Sequence, residues 1–209
     1  MIRRVYEQAT KAVSLSDIVV ATDDQRIYDE IVSFGGRVIM TSPHHLNGTE
    51  RCAEAAAALN ADAVINIQGD EPFIYPEQID TLASLFQYPD FQIGTLIKVC
   101  NDQGLLDEPS VVKVTVNKDL EALYFSRSVI PYLKNTDAKP TYYKHMGIYG
   151  YTIDVLQKIV KLPPSPLELA ESLEQLRWLE NGYMIRTAIT EYESISIDVP
   201  EDLQRVIIS

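Results

Sequence analysis

Short apolar runs alternate with amphipathic stretches along the first half of the chain. The apolar runs lie at 17–22, 37–41, 61–67 and 93–99. The stretches with apolar residues at helical spacing lie at 25–34, 49–59 and 77–86. Runs this short and this continuously apolar are typical of strands covered on both faces, as in a parallel sheet. The alternation therefore predicts βαβ units in a layered α/β fold.

The pattern changes after residue 110. Two apolar segments, 111–116 and 122–125, lie close together with the polar turn 117–119 between them. This spacing favours a hairpin over a crossover connection. An aromatic-rich strand is predicted at 142–151. We therefore expect an antiparallel subregion at about 110–150.

A strong helix start follows at Ser165. This residue can cap the helix, Pro166 suits its first position, and Glu168 completes a capping box. The helix is predicted to run to about Asn181 and to end at Gly182. One stripe along it is polar, and from spacing alone it is either a solvated surface or a functional face. The stripe comprises Glu171, Glu174, Gln175 and Trp178.

Composition and charge narrow the class of protein. The 209 residues contain no repeat or linker, which predicts one domain over 1–209. The net charge of −12 argues against a nucleic-acid partner. No apolar run reaches the roughly 20 residues that span a bilayer, so we expect no membrane partner. Cys52 and Cys100 are interpreted as free thiols in a reducing cytoplasm.

Two aspartates follow predicted strands directly. Asp70 comes after the run 64–67 and Gly69, and Asp198 ends the alternating segment 195–198. Ligands bind beyond the carboxyl ends of strands in α/β sheets, where a carboxylate can hold Mg²⁺ together with substrate phosphates. The alternative for Asp70 is a cap on the next helix, and the spacing leaves both interpretations open.

Several cations and polar groups could bind an anionic substrate. Arg127 can grip a carboxylate in bidentate fashion, and Lys144 and His145 lie in the aromatic strand. A surface or structural role is equally compatible with the sequence for each. The segment 48–51 precedes a helix and could donate backbone N–H groups to a base or phosphate. His44 and His45 have no partner set for a metal and are discounted.

Taken together, these segments resemble the 3-deoxy-manno-octulosonate (Kdo) cytidylyltransferases, also called CMP-Kdo synthetases. The resemblance extends from residue 1 to about residue 205. Its motifs include Ala21-Thr22-Asp23-Asp24, Gly48-Thr49-Glu50-Arg51, Asn66-Ile67-Gln68-Gly69-Asp70-Glu71-Pro72, Tyr124-Phe125-Ser126-Arg127, His145-Met146-Gly147-Ile148-Tyr149, the block 164–177 and Asp198-Val199-Pro200-Glu201-Asp202-Leu203.

The resemblance implies both a fold and a reaction. The fold would be a Rossmann-like layered nucleotidyltransferase sheet with a small antiparallel dimerisation and sugar-binding subregion. The reaction would be CTP plus Kdo giving CMP-Kdo and pyrophosphate, with Mg²⁺, in the cytoplasm, for the inner core of lipopolysaccharide. Members are homodimers, with contact expected in 110–150.

The resemblance also implies roles for individual residues. Asp70 and Asp198 would ligate Mg²⁺, and Gln68 would lie near both substrates in the catalytic centre. Ser42, Gly48 and Arg51 would surround the cytidine. The sugar pocket would be lined by Arg127, His145, Tyr149, Glu171, Glu174 and Gln175.

One departure concerns the amino terminus. Family members begin with a strand and a loop of the form Pro-Ala-Arg-x-x-Ser-Thr-Arg-x-Pro-Gly-Lys-Pro-Leu, whereas this sequence opens on a helical pattern at Ile2. We expect either a longer natural chain or a short form that binds CTP poorly and has low stability. The alternative functions are another sugar-acid cytidylyltransferase, such as a CMP-sialic acid synthetase, and a non-catalytic sugar-nucleotide-binding relative.

Overall fold

The structure, a computed structural model, describes residues 1–59, 61–194 and 197. Its helices are α1 (Ile2–Ala9), α2 (Gln25–Ser33), α3 (Gly48–Ala57), α4 (Pro76–Ala83), α5 (Gln103–Asp107), α6 (Ile153–Ile159), α7 (Pro166–Glu171) and α8 (Gln175–Glu180). Its strands are β1 (Val20–Thr22), β2 (Val38–Met40), β3 (Ala63–Asn66), β4 (Ile93–Val99), β5 (Lys113–Val116), β6 (Ala122–Ser126), β7 (Tyr143–Thr152) and β8 (Ile185–Ile189). No helix in these ranges is long and apolar enough to cross a membrane.

The layered α/β architecture is confirmed, but the sheet is mixed rather than parallel. β1 and β2 form a parallel pair. The larger sheet has the order β6-β5-β7-β4-β8, and β3 also pairs with β7. The long β7 runs antiparallel to β3, β4 and β5, whereas β4 and β8 are parallel. The expected hairpin is present as β5 and β6.

Two apolar clusters hold the helices against the sheet. One is built around the fully buried Trp178, Tyr151 and Phe125, and the other around Ile79 and Leu82. Both cysteines are free, and Cys100 lies in the core. Of the four strands expected to be buried on both faces, only β4 is largely buried, whereas most side chains of β1, β2 and β3 are half-buried.

The single helix expected over 165–181 is wrong. It starts as predicted, with Pro166 first and the Ser165 N–H donating to Glu168 Oε2 at 3.1 Å. It then breaks at Ser172, whose φ of 53° is left-handed. Arg127 donates to the carbonyl oxygens of Glu171 and Ser172, which takes up acceptors that a continuing helix would need. The break therefore has its cause in a different part of the chain.

A groove separates β1 from β3. Among the described strands, β1 pairs only with β2, and β3 pairs only with β7. The groove has a volume of ≈ 1090 Å³ and is lined by apolar residues of both strands and of α1 and α3. All four β3 side chains are only half-buried. The facing edges of β1 and β3 thus have no strand partner among the described residues.

Candidate active site

The first turn of α3 carries two of the three residues expected around the cytidine, Gly48 and Arg51. Asn47 caps this helix by accepting from the Glu50 N–H at 2.9 Å. Gly48 lies directly against Gln68, because a Cβ at this position would be 3.1 Å from the Gln68 side-chain amide. A larger residue at position 48 would press on the Gln68 amide, so glycine suits the close approach of α3 to the segment after β3.

Arg51 joins this turn to the ends of the two small-sheet strands. Its guanidinium lies 3.0 Å from Asp23 Oδ2 and donates to Thr41 Oγ1 at 2.6 Å and to the Ser42 carbonyl at 3.4 Å. The structure therefore brings Ser42, Gly48 and Arg51 together with Gln68. Asp23 and Thr41 were missed, although Asp23 follows a strand just as Asp70 does.

The same contacts fix the relative direction of β1 and β3. Asp23 follows the carboxyl end of β1 and meets Arg51, while Gln68 follows the carboxyl end of β3 and meets Gly48. Both partners lie in the first turn of α3. The two strands therefore point the same way, and their carboxyl ends open onto one site, as expected for ligand binding in α/β sheets.

Asp70 lies in a turn after β3 and is half-buried. The helix-cap alternative is wrong, because α4 begins at Pro76 with Tyr75 at its N-cap position. The Asp70 carbonyl accepts from the Ile197 N–H at 2.8 Å. Asp198, the next residue in the sequence, lies outside the described residues, as does the rest of the predicted strand except Ile197.

The carboxylate chemistry at this turn suits Mg²⁺, which prefers few protein ligands and oxygen donors. Within the described ranges, no group of three or more His, Cys, Asp or Glu side chains is arranged to hold a metal. Asp198 lies outside these ranges. His45, which we discounted as a ligand, contacts the carboxylates of Glu50 and Glu54.

Aromatic rings surround the two expected sugar-pocket residues of β7. The His145 ring packs edge-on against Phe125 with centroids 5.1 Å apart, and Tyr149 packs edge-on against Trp178 at the same separation. His145 Nε2 lies 3.0 Å from the Thr95 hydroxyl. Although some of the His145 surface is exposed, burial among these groups lowers its pKa to about 3, so the ring is neutral at physiological pH. Burial, and then the charge of Glu174, raise the pKa of Tyr149.

Arg127 and Glu171 meet at the break between α7 and α8. The Ser126 hydroxyl and the Arg127 N–H both donate to the Glu171 carboxylate, at 2.6 and 2.9 Å. The Arg127 guanidinium donates to the carbonyls of Pro109, Glu171 and Ser172. Arg127 therefore holds the break in place, and these contacts use three of its five N–H donors.

Glu174 and Gln175 point into the protein. Gln175 is 5% exposed, and Glu174 accepts from Asn47 Nδ2 at 3.1 Å and from the Thr49 hydroxyl at 2.6 Å. Burial is the main cause that raises the pKa of Glu174. The solvated-surface interpretation of these two residues is wrong. No role was expected for Asn47, because local sequence patterns cannot link either donor to Glu174 across more than 120 residues.

Lys144, the remaining candidate cation, pairs with Glu193. The candidate site thus has two sides. The side expected to hold the nucleotide, called the nucleotide side below, is the first turn of α3 with Ser42, Asp23 and Gln68. The side expected to hold the sugar, called the sugar side, is formed by β7 and by the α7–α8 break. Glu174 connects them through its contacts with Asn47 and Thr49.

Comparison with known proteins assigns this arrangement to a family. The cytidylyltransferase family model matches residues 1–194. The chain is 52% identical to a 3-deoxy-manno-octulosonate cytidylyltransferase of Cytophaga hutchinsonii over 214 aligned residues, covering 99% of this chain and 85% of the relative. It is 50% identical to the protein of the same name from Parabacteroides distasonis, covering 99% and 86%.

A solved structure gives the same assignment. It is described as CMP:2-keto-3-deoxy-manno-octonic acid synthetase complexed with CTP, and it superimposes with a TM-score of 0.93 at 43% identity, covering 98% of this chain and 85% of that one. A glucose-1-phosphate thymidylyltransferase from Bacillus anthracis, at 16% identity and a TM-score of 0.65, shares the fold alone. The chain belongs to the cytidylyltransferases, and within them to the 3-deoxy-manno-octulosonate cytidylyltransferase family.

Proposed function

We propose that this protein transfers CMP from CTP to Kdo and releases pyrophosphate, for lipopolysaccharide inner-core synthesis. The observation that carries the proposal is the TM-score of 0.93, at 43% identity, to the synthetase complexed with CTP. In this reaction the anomeric oxygen of Kdo attacks the α-phosphorus of CTP. A new P–O bond forms, the bond between the α-phosphorus and the bridging oxygen breaks, and pyrophosphate leaves with that oxygen.

On the nucleotide side, Ser42, Gly48 and Arg51 are proposed to surround the cytidine. Their shared position at the carboxyl ends of β1 and β3 supports this role. Gln68 touches Gly48 and follows β3, so it lies at the entrance to the turn that carries Asp70. It is proposed to orient the α-phosphate against the sugar.

On the sugar side, the proposed pocket consists of Arg127, His145, Tyr149, Glu171, Glu174 and Gln175. The two N–H donors of Arg127 beyond its three carbonyl contacts suit the carboxylate of a sugar acid. His145 is held neutral, so it would bind a sugar hydroxyl as a dipole rather than as a cation. The acidic and amide groups suit the other hydroxyls.

Mg²⁺ is the proposed metal, with Asp70 and Asp198 as its protein ligands. When bound, it would offset the negative charge of the phosphates during the displacement. The hydrogen bond between the Asp70 carbonyl and the Ile197 N–H supports the pairing, since Ile197 directly precedes Asp198 in the sequence. Two carboxylates leave room for phosphate oxygens and waters in the octahedral shell that Mg²⁺ prefers.

The protein is further proposed to act in the cytoplasm as a homodimer. Exposed large apolar side chains in the antiparallel subregion support a contact there, with Tyr132 86% and Leu123 59% exposed. Aromatic side chains such as tyrosine are enriched where a surface is covered by a partner.

The proposal is tested by measuring pyrophosphate release from CTP and Mg²⁺ with Kdo, with sialic acid and with no acceptor. We expect release with Kdo only, together with CMP-Kdo in equal amount. Equal rates of release with Kdo and with sialic acid would show that the enzyme accepts sugar acids more broadly than Kdo alone. Tight CMP-Kdo binding without any turnover would instead identify a non-catalytic binding protein.

A further inference from the structure

Glu174 is held by two donors that belong to a different part of the chain. One carboxylate oxygen accepts from the Asn47 side-chain amide at 3.1 Å, and the other accepts from the Thr49 hydroxyl at 2.6 Å. Thr49 is 5% exposed. A largely buried carboxylate is costly without such donors, so these two hydrogen bonds fix its position.

The two donors belong to the beginning of α3. Asn47 uses both ends of its side-chain amide, because Oδ1 accepts from the Glu50 N–H at 2.9 Å while Nδ2 donates to Glu174. Gly48, which lies between the donors in sequence, is the residue packed against Gln68. The contacts with Glu174 therefore set the position of the turn that presents Gly48 and Arg51.

At the other end of this connection, Glu174 occupies the N-cap position of α8. The charge of Glu174 contributes to the raised pKa of Tyr149. Tyr149, in β7, packs on Trp178, which belongs to the same helix as Glu174. Glu174 is thus part of the sugar side, whereas Asn47 and Thr49 are part of the nucleotide side.

We propose that Asn47 and Thr49 are positioning residues that couple the nucleotide side to the sugar side through Glu174. This inference rests on the proposed function. The hydrogen bond from Thr49 to Glu174 holds the first turn of α3 against α8. Asn47 binds Glu174 as well, and because it also caps α3, it fixes the start of the helix relative to α8. Occupation of the sugar side then favours the arrangement of α3 that binds CTP, and by linkage CTP favours sugar binding.

The test compares Thr49→Val, which keeps the shape and removes the donor, with Thr49→Ser, which keeps the donor. Valine should raise the KM for CTP about ten-fold, as expected for a lost hydrogen bond to a charged group. In the wild type, Kdo should lower the Kd of CTP, and Thr49→Val should abolish this decrease. Serine should restore both values to within about two-fold. Thr81→Val is the matched control, because the Thr81 hydroxyl donates only to the Glu77 carbonyl of its own helix.

A second readout does not require turnover. Hydrogen exchange of the amides at 47–51 should be faster in Thr49→Val than in Thr49→Ser, with the rest of α3 unchanged. If Thr49→Val fails to fold, Asn47→Asp serves instead, because it keeps the cap and turns the donor toward Glu174 into a repelling charge. Unchanged CTP–Kdo coupling in a folded variant would overturn the inference. Absence of turnover in the wild type, with the exchange difference present, would instead overturn the proposed reaction.

Discussion

The backbone N–H of Ile197 donates to the carbonyl oxygen of Asp70 at 2.8 Å. This bond joins the turn after β3 to a segment that follows β8 by several residues. Asp70 is thereby fixed from a distant part of the chain, directly beside the residue that precedes Asp198 in sequence. Because this bond places Asp70 beside Ile197, the proposed role of Asp70 in metal binding can be tested directly.

Replacing Asp70 by Asn should reduce pyrophosphate release about 100-fold, because a metal ligand contributes several kcal/mol to stabilising charge in the transition state. The Mg²⁺ concentration needed for half-maximal rate should rise in parallel. Asp62→Asn is the matched control, since Asp62 is an exposed residue at the other end of β3. An unchanged Mg²⁺ dependence in Asp70→Asn would contradict the ligand role.

Replacing Glu168 by Gln should lower the free energy of unfolding by about 3 kcal/mol, because it leaves a buried guanidinium without its counter-charge. The Glu168 carboxylate accepts a hydrogen bond from Arg177 Nε at 2.7 Å. The side chains of Glu168 and Arg177 are only 12% and 10% exposed, respectively. The control is Glu7→Gln, which removes an exposed pair with Arg3 and should cost at most about 0.5 kcal/mol. Urea denaturation measures both.

The same pair predicts a pH dependence. The hydrogen bond from Arg177 lowers the pKa of Glu168 below 4.5. A depressed carboxyl pKa stabilises the fold above the unfolded value and loses this contribution as pH falls through the folded value. The stability difference between wild type and Glu168→Gln should therefore be constant above pH 5 and shrink below pH 4.5. A difference that persists at lower pH would contradict the ion pair.

Local patterns were sufficient for much of the fold. Apolar periodicity located α2, α3 and the hairpin of β5 and β6, and the helix start at Ser165 followed from residue types three positions apart. These features depend on neighbours in sequence, which periodicity and capping rules describe. The position of Asp70 after a strand could be predicted for the same reason.

The features that escaped prediction depend on distant contacts. Spacing alone did not show that β7 would separate β3 from β4, since strand pairing is not encoded within one strand. The break at Ser172 depends on Arg127, 45 residues earlier in the chain. The link from Glu174 to Thr49 spans 125 residues. Each of these contacts brings together parts of the site, so the site itself was less predictable than the elements that carry it.

His145 should remain neutral across the physiological range. Burial lowers its pKa from 6.5 to about 3, so below pH 6.5 the unfolded chain binds a proton that the folded protein does not. Stability should therefore decrease as pH falls from 6.5, with about 1.4 kcal/mol per pH unit attributable to this residue. The measurement is urea denaturation at pH 5 and 6 for wild type and His145→Gln. Equal slopes in the two proteins would show that the ring is not held neutral.

The groove between β1 and β3 predicts that a strand added before Met1 will stabilise the protein. Ile2 begins α1 beside Gly69, since a Cβ on Gly69 would be 3.6 Å from Ile2 Cδ1, and this is the carboxyl end of β3. A strand joined to Met1 by a short loop would therefore run parallel to β1 and β3. It would end at the carboxyl ends of these strands, where α1 begins. It would pair with both open strand edges and cover the half-buried side chains of β3.

An added segment of six apolar residues followed by a glycine-containing loop should raise the Tm by about 5 °C, the effect of roughly 2 kcal/mol in a domain of this size. The control extension has the same length and loop, with alternate apolar residues replaced by Lys, which cannot be buried in an apolar groove. Hydrogen exchange should slow in β1 and β3 with the apolar segment only. A high Tm without any extension, unchanged by either segment, would mean that the groove does not accept a strand.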